Sequence, residues 1–299
     1  MVSNWIKLTN GGSGATILSD FSNGVIRKVS KDRITSDRLH NSIQHQSVFE
    51  TTFSQHQFTT AQVLSYLREG QRFRVDMVRL NGPTFLEYAL TSPASDVVRA
   101  SERFLSGWMS QVFNFEVMPG IEVDLLFAVK LKEIVHRLNT SNNFEIAIAC
   151  EELFFELLPI SHEVNKARFV HGDLTISNLV LVEANRFGIL DFTPQNICII
   201  EIDIAKFLQE FLLGWAIRHS SNYLLLALRL RLIGYKIVEL LRSYGSYINM
   251  DVVAKSFVLN FLRIAPYLHT NSDRDSWLEL CPSIRVLYRV ISNPDHKLI

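Results

Sequence analysis

The sequence predicts an α+β fold in which a small antiparallel sheet comes first and a larger, mainly helical part follows. Over residues 1 to about 80, short apolar runs alternate with turns rich in Gly and Asn, which is typical of antiparallel hairpins. From Ser95 onward, apolar residues recur at helical spacing along most segments. We therefore expect the sheet, together with one helix, within residues 1–80 and the larger helical part within residues 81–299.

Composition limits the function classes. The chain has 299 residues, of which 47% are hydrophobic and 20% charged, so it has an ordinary globular composition and ample length for a core. Thirty basic and thirty acidic residues cancel. This balance gives no indication of a nucleic-acid surface, so phosphate binding would depend on a few local residues and a metal ion.

The spacing of the cysteines and the length of the apolar segments indicate the cellular compartment of the protein. The three cysteines are scattered and have no C-x-x-C spacing, which favours a reducing environment. The first residues lack a basic segment followed by an apolar one, so no signal peptide is expected. The most apolar stretches, 211–217 and 223–235, are too short or too charged to span a membrane. We expect a cytoplasmic protein.

A glycine-rich turn lies near the N-terminus. Predicted strands at 6–9 and 15–19 flank the segment 10–14, Asn-Gly-Gly-Ser-Gly. Its glycines would let the backbone approach a phosphate, and Ser13 could donate a hydrogen bond to it; a plain hairpin turn is the alternative. The segment matches neither the dinucleotide fingerprint nor the P-loop.

Helical periodicity extends over much of the chain. The predicted helices are 37–53, 96–112, 123–138, 144–158, 202–217, 223–244, 250–267, 274–280 and 282–291. The segment Leu224–Arg242 alternates Leu with Arg. We interpret it as a core helix with its charges in water, and binding to a membrane surface is the alternative.

The most informative segment is 170–192. It contains H-G-D-x4-N and then, after a short turn, G-x-x-D-F. Two apolar runs, 178–182 and 187–190, predict a hairpin that would hold Asp173, Asn178 and Asp191 at one end. Phosphoryl transfer needs such a set, because one carboxylate accepts the hydroxyl proton while two oxygen ligands hold Mg²⁺ on the nucleotide phosphates.

This segment resembles the catalytic and metal-binding loops of the aminoglycoside phosphotransferase/choline kinase family, which shares its fold with protein kinases. The resemblance continues through 201–210, where E-I-D-I-A-K-F is similar to a helix start of the family. Within the family, the chain is most similar to phosphotransferases of bacterial surface-polysaccharide gene clusters. The resemblance implies a protein-kinase-like two-lobed fold, with a small antiparallel-sheet N-lobe and a helical C-lobe that share a cleft.

The resemblance also assigns the nucleotide site. Lys28 corresponds to the nucleotide-binding lysine, on a strand at 24–30. The usual partner is a helical glutamate, but Gln44 stands nearest to its position. Glu50 is the only glutamate on that helix, and we favour it as the partner of Lys28. The remaining nucleotide-binding candidates are Gly12, Ser13 and Gly14 in the turn and Met77, Val78 and Arg79 at the adenine.

Three residues are assigned to the chemistry. Asp173 would accept the proton of the acceptor hydroxyl or orient that hydroxyl, and Asn178 and Asp191 would hold Mg²⁺. His171 is interpreted as structural, with its imidazole bridging the loop to the Asp191 turn. Asp203 is interpreted as the N-cap of a helix that begins at Ile204.

The implied function is phosphorylation of a hydroxyl on a small polar molecule, with ATP or GTP and Mg²⁺. No A-P-E-like segment follows Asp191, and Phe192 is not followed by Gly, which argues against a protein acceptor. A sugar or sugar-linked intermediate is favoured as acceptor, ahead of choline and an aminoglycoside. The alternative is a degenerate kinase that binds nucleotide or serves as a scaffold. A glycosidase pair gives Asn178 no role, and a metallophosphatase would need several His ligands.

Overall fold

The computed structural model describes residues 5–10, 15–53, 57–113, 116–157, 164–183, 185–193, 199–245, 247–268 and 270–293. The chain divides into two units. The first contains residues 1–88 and 171–194, and the second contains residues 89–170 and 195–299. The segment 171–194 lies among the helices in sequence, yet it joins the first unit because one of its two strands pairs with a strand near residue 58.

The first unit contains a five-stranded antiparallel sheet of order β1-β2-β3-β6-β5. Its strands are β1 Ile6–Asn10, β2 Thr16–Asp20, β3 Val25–Val29, β5 Val63–Glu69 and β6 Arg72–Val78. In the register of β3 and β6, Arg27 lies opposite Asp76 and Lys28 opposite Val75. The Arg27 guanidinium donates two hydrogen bonds to the Asp76 carboxylate, at 2.6 and 2.7 Å, and so fixes this register on one face of the sheet.

Helix α1, Arg33–Thr52, packs on the other face of this sheet. Leu39 contributes to a core with Val75 and Met77, and Gln46 and Phe49 are buried as well. The helix begins four residues before the predicted start at 37, because the Asp32 side chain caps it by accepting a hydrogen bond from the Thr35 amide at 2.7 Å.

A second, three-stranded sheet carries the predicted catalytic hairpin. It consists of β4 Phe58–Thr60, β9 Leu179–Glu183 and β10 Arg186–Ile189, in the order β4-β10-β9. Strand β10 runs antiparallel to β9 and parallel to β4. The two hairpin strands lie within one residue of their predicted positions, and the pairing with β4 ties them to the end of α1.

The second unit is mainly helical. The helices that follow the five-stranded sheet in sequence are α2 Phe85–Thr91, α3 Ala94–Phe113, α4 Val123–Thr140, α5 Phe144–Leu157, α6 Ile200–Leu213, α7 Tyr223–Ser243, α8 Met250–Leu262 and α9 Asn271–Ser292. In addition, strand β7, Glu116–Glu122, pairs antiparallel with strand β8, Val164–Arg168. Every residue of α6 is buried, so this helix forms the centre of the unit. Within the described ranges, no helix is long and apolar enough to cross a membrane.

Two helix predictions were wrong. The segments 274–280 and 282–291 form one continuous helix, α9, with Pro282 inside it. An internal proline costs about 3 kcal/mol, but here buried side chains on both sides of it, such as Trp277 and Ile284, hold the helix together. Asp203 is not an N-cap, because α6 begins at Ile200 and Asp203 lies buried in its first turn.

The interpretation of α7 was also partly wrong. The helix does bury one face, with Leu230, Ile233 and Ile237 in the core. Its arginines, however, are not simply in water. Arg229 and Arg231 are partly buried and donate to backbone carbonyls, whereas several leucines between them are exposed.

Candidate active site

His171 connects the two ends of the predicted site. Its imidazole is fully buried. The Asp173 amide donates to Nδ1 at 3.1 Å, so we assign the ring proton to Nε2, which then donates to the Leu190 carbonyl at 2.7 Å. The bridge between the loop and the Asp191 turn is therefore present.

The protonation of His171 follows from its surroundings. Burial lowers the pKa of His171 to about 4, because a charged imidazolium would lose its hydration there, and the Asp173 carboxylate only partly opposes this shift. The ring is neutral near pH 7. Its nitrogens are both engaged in holding the loop, so its role is structural and it is not a general base.

The loop brings Asp173 and Asn178 together. The Asn178 amide nitrogen donates to the Asp173 backbone carbonyl at 2.8 Å and lies 3.4 Å from Oδ2 of the Asp173 carboxylate. The backbone carbonyl of Asn178 in turn accepts a hydrogen bond from the Leu190 amide at 2.9 Å. Both side chains are half-buried. The carboxylate and the carboxamide thus share one hydrogen-bonded loop, at the end of the hairpin that leads to Asp191.

Asp191 has an unusual backbone conformation. Its φ is +59°, in the left-handed region that residues other than Gly seldom adopt. Such conformations persist where the surrounding structure enforces them, which happens most often at functional sites. Here the conformation directs a carboxylate that is 44% exposed toward the ammonium group of Lys28, and the two form an ion pair.

Lys28 is largely buried beside Asp191. Burial lowers the pKa of Lys28 to about 8, while contact with the carboxylate favours the charged ammonium. The predicted partner, Glu50, accepts hydrogen bonds from Gln46, at 2.8 Å, and from the Thr60 hydroxyl. Gln44 is exposed. That Glu50 orients Lys28 stays a prediction, and the ion pair described for Lys28 is with Asp191.

Helix α1 also holds the Asp191 turn. The Ser42 hydroxyl donates to the Phe192 carbonyl. The buried Phe192 ring packs against His171 and Phe49, with ring centroids 4.6 and 5.1 Å away. The Thr193 amide donates to the His171 carbonyl at 2.9 Å. The two residues that follow Asp191 are therefore held in place by neighbouring elements.

The predicted adenine segment is partly engaged within the protein. Met77 is buried in the sheet core. The amides of Val78 and Arg79 donate to the carbonyls of Gln62 and Gly24, each at 2.8 Å. These two amides already donate to backbone carbonyls of the protein, and a nucleotide base at this segment would have to contact other atoms. The predicted phosphate-binding residues Gly12, Ser13 and Gly14 lie outside the described residues.

The oxygen donors fit a magnesium ion. Because the Asn178 amide nitrogen faces Asp173, its carbonyl oxygen lies on the other side of the planar group and is the atom left for a cation. Asp191 already contacts one cation, the Lys28 ammonium. Mg²⁺ is commonly held by one or two carboxylates together with substrate phosphates. Among the described residues, no cluster of three or more His, Cys, Asp or Glu is arranged for a metal.

Sequence reasoning missed the supporting residues. Ser42 donates to the Phe192 carbonyl, Gln46 donates to Glu50 and to the Ala61 carbonyl, and Thr60 donates to Glu50. Gln46 lies at helical spacing from Leu39 and Phe49 on the buried face of α1, and a polar side chain on a buried face is a signal that a partner is needed. Ser42 and Thr60 gave no comparable signal.

Comparison with known proteins supports the fold. No protein-family model and no curated protein matches the sequence. Solved structures do match: APH(2'')-IIia with GDP and kanamycin at a TM-score of 0.67 and 13% identity, covering 96% of this chain and 94% of that one. A thermostable variant of APH(4)-Ia with ADP and hygromycin B follows at a TM-score of 0.64 and 11% identity, with the same coverage.

A third similar structure is APH(3'')-Id from Streptomyces rimosus, with ADP and streptomycin, at a TM-score of 0.54 and 14% identity. It covers 87% of this chain and 92% of its own. All three are aminoglycoside phosphotransferases. At these identities the similarity concerns the fold, and with an antiparallel sheet at the N-terminus and a mainly helical remainder the chain has the kinase-like fold of the aminoglycoside phosphotransferases.

Proposed function

We propose that the protein is a phosphotransferase that uses ATP or GTP and Mg²⁺ to phosphorylate a hydroxyl group of a small polar acceptor. One observation carries this proposal. A single hydrogen-bonded hairpin holds Asp173, Asn178 and Asp191 at one end, and Lys28 reaches Asp191 from the neighbouring sheet. These are the residue types that in-line phosphoryl transfer requires, at the end of two rigid strands.

Each side chain then has a definite task. The Asp173 carboxylate accepts the proton of the acceptor hydroxyl, or orients that hydroxyl for attack. Its neighbour His171 cannot take this role, because both of its ring nitrogens are engaged in hydrogen bonds that hold the loop and its lowered pKa makes it a weak base. Lys28 leaves Asp191 and binds the nucleotide phosphates with its ammonium group. Asn178 Oδ1 and the Asp191 carboxylate would hold Mg²⁺, which when bound offsets the negative charge on the phosphates.

A sugar or a sugar-linked intermediate is the favoured acceptor, followed by choline and an aminoglycoside. The sequence resemblance to polysaccharide-cluster phosphotransferases supports the sugar, and the aminoglycosides bound in the similar structures support a polyhydroxylated molecule in general. The similar structures hold GDP in one case and ADP in two, so both nucleotides belong in the test.

The test is nucleoside diphosphate release across a panel of sugars, nucleotide-linked sugars, choline and aminoglycosides. We expect one acceptor class to stimulate release, and Asp173→Ala to reduce the stimulated rate by at least about 100-fold, as loss of a general base does. Asp37→Ala is the matched control, because Asp37 is an exposed aspartate of the same unit, paired only with surface arginines among the contacts described. Stimulated release by Asp173→Ala at the wild-type rate would contradict the role of Asp173.

A degenerate kinase is the second candidate. Two observations favour it, because groups expected to bind the nucleotide contact the protein itself. Lys28 and Asp191 form an ion pair with each other, and the amides of Val78 and Arg79 donate to backbone carbonyls. This function predicts nucleotide binding without release of diphosphate in the presence of any acceptor. Release stimulated by one acceptor class excludes it.

A further inference from the structure

Helix α7 exposes an uncharged row of leucines. Leu224 is 82% exposed, Leu228 is 57% exposed and Leu232 is 58% exposed, and they follow one another at intervals of four residues. Leu225, 70% exposed, lies beside the row. We call these four residues the α7 leucine stripe. Single exposed leucines are normal, but a contiguous uncharged group on one helix face marks an interaction site.

The orientation of α7 is fixed by its arginines. Arg229 donates from Nε to the Ala89 carbonyl at 3.0 Å and from Nη2 to the Ser92 carbonyl. Arg231 donates from Nε to the Leu212 carbonyl at 3.2 Å. Charged groups that pair with backbone carbonyls would be costly to release, so the helix cannot simply rotate to bury its leucines. The hydrogen bonds of Arg229 and Arg231 therefore keep the α7 leucine stripe on the surface.

We propose that the α7 leucine stripe is the contact surface of a symmetric dimer, and that its occupant is the same stripe of a second copy of this chain. Leu224 and Leu232 lie at equal distances on either side of Leu228, about 6 Å along the helix axis. A two-fold axis at Leu228 therefore sets Leu224 of one copy beside Leu232 of the other. Rows of residues four apart are also the ridges that interdigitate when two helices pack.

Area and charge both favour a second copy. The four leucines expose roughly 500 Å² per copy, within the usual size of a functional patch, so a symmetric pair would bury about 1,000 Å², the lower limit for a specific interface. The rim is polar at both ends, with Ser221 and Asn222 before the stripe and the ion pair of Lys236 and Glu239 after it.

A membrane surface is less well matched. A helix that lies on anionic lipid presents Lys or Arg beside its apolar face. On α7, Arg229 and Arg231 instead donate to backbone carbonyls of their own unit. The exposed apolar residues of α5, Phe144, Ile148 and Phe155, are less suited to self-association, since Phe155 lies among exposed glutamates. The dimer requires no catalytic activity, so this proposal is independent of the proposed function.

The experiment is sedimentation equilibrium of the full chain over a range of concentrations. We expect the wild type to reach twice the monomer mass, and Leu228→Glu to stay at the monomer mass, because two carboxylates would meet at the axis. Leu125→Glu is the matched control: Leu125 is a leucine on α4 that is 60% exposed, and its substitution should leave the dimer intact. Circular dichroism checks that both variants fold.

Cross-linking gives a second readout. Leu228→Cys should form a disulfide-linked dimer on mild oxidation, because a residue on the two-fold axis meets its own copy, whereas Leu125→Cys and the wild type should not. A wild type that stays monomeric at all concentrations, or a dimer that Leu228→Glu leaves intact, would overturn the proposal. Binding of a monomeric wild type to phosphatidylglycerol vesicles, lost in Leu228→Glu, would overturn it in favour of a lipid surface.

Discussion

At the scale of single residues, the buried imidazole of His171 joins the loop that carries Asp173 to the strand end before Asp191. It does so with two hydrogen bonds, one accepted from the Asp173 amide and one donated to the Leu190 carbonyl. Removing the ring would leave that carbonyl without its donor, which costs about 1–3 kcal/mol in a buried position. The neutral form of His171 is therefore part of the architecture of the site.

This burial predicts a specific pH dependence of stability. The pKa of His171 is lowered from 6.5 to about 4 in the folded chain, so between these values the unfolded chain binds a proton that the folded chain does not. The stabilisation is fully present above pH 6.5 and is lost as the pH falls toward 4. From pH 7 to pH 5 we expect His171 to contribute a loss of about 2 kcal/mol in the free energy of unfolding.

The measurement is urea unfolding of the wild type and His171→Gln at both pH values. The stability difference between the two proteins should shrink by about that amount at pH 5, because the variant has no imidazole to protonate. His136→Gln is the control, since His136 is an exposed histidine on α4. An equal stability difference at the two pH values would show that His171 is protonated in the folded chain.

At the scale of elements, α1 supports the hairpin of β9 and β10. Ser42 binds the Phe192 carbonyl, Phe49 packs on the Phe192 ring, and Gln46 joins Glu50 to the Ala61 carbonyl beside β4. The side chain of Asp191 lies one residue before Phe192, in a conformation that costs energy. The position of α1 should therefore set how well Asp191 is prepared for a cation.

Ser42→Ala tests this dependence. Loss of one hydrogen bond to the Phe192 carbonyl is worth about 1 kcal/mol, so we expect Mg²⁺-dependent nucleotide affinity to fall roughly 5-fold while the helix content stays unchanged. Ser42→Thr, which keeps the hydroxyl, should recover most of the affinity. Ser47→Ala, an exposed serine on the same helix, serves as the control. Unchanged affinity in Ser42→Ala would mean that the turn holds its conformation without α1.

At the scale of the whole molecule, the sequence predicted the elements whose signals are local. The hairpin of β9 and β10 was predicted to within one residue, because two short apolar runs and a short turn between them define it. Strands β4 and β5 were missed. β4 has three residues, and in β5 Leu64, Tyr66 and Leu67 are all exposed, so the strand has no alternation between buried and exposed apolar positions.

Long-range contacts account for the other differences. The ion pair joins Lys28 on β3 to Asp191, which follows β10 and is far from β3 in sequence. Sequence spacing alone could not predict Asp191 rather than Glu50 as the partner of Lys28. The inward arginines of α7 depend on carbonyls at Ala89 and Leu212, which no periodicity reveals. The sequence therefore predicted the types and order of the site residues but not the contacts that orient them.

We propose that Asn178 and Asp191, together with Lys28, form a magnesium-dependent nucleotide site. Calorimetric titration of ATP, with and without Mg²⁺, into the wild type and Asp191→Ala tests it most directly. We predict binding that requires Mg²⁺ in the wild type and is lost in Asp191→Ala, since the variant lacks the carboxylate that takes the cation. Absence of binding in the wild type, or binding unaffected by Mg²⁺ and by the substitution, would show that these residues do not form such a site.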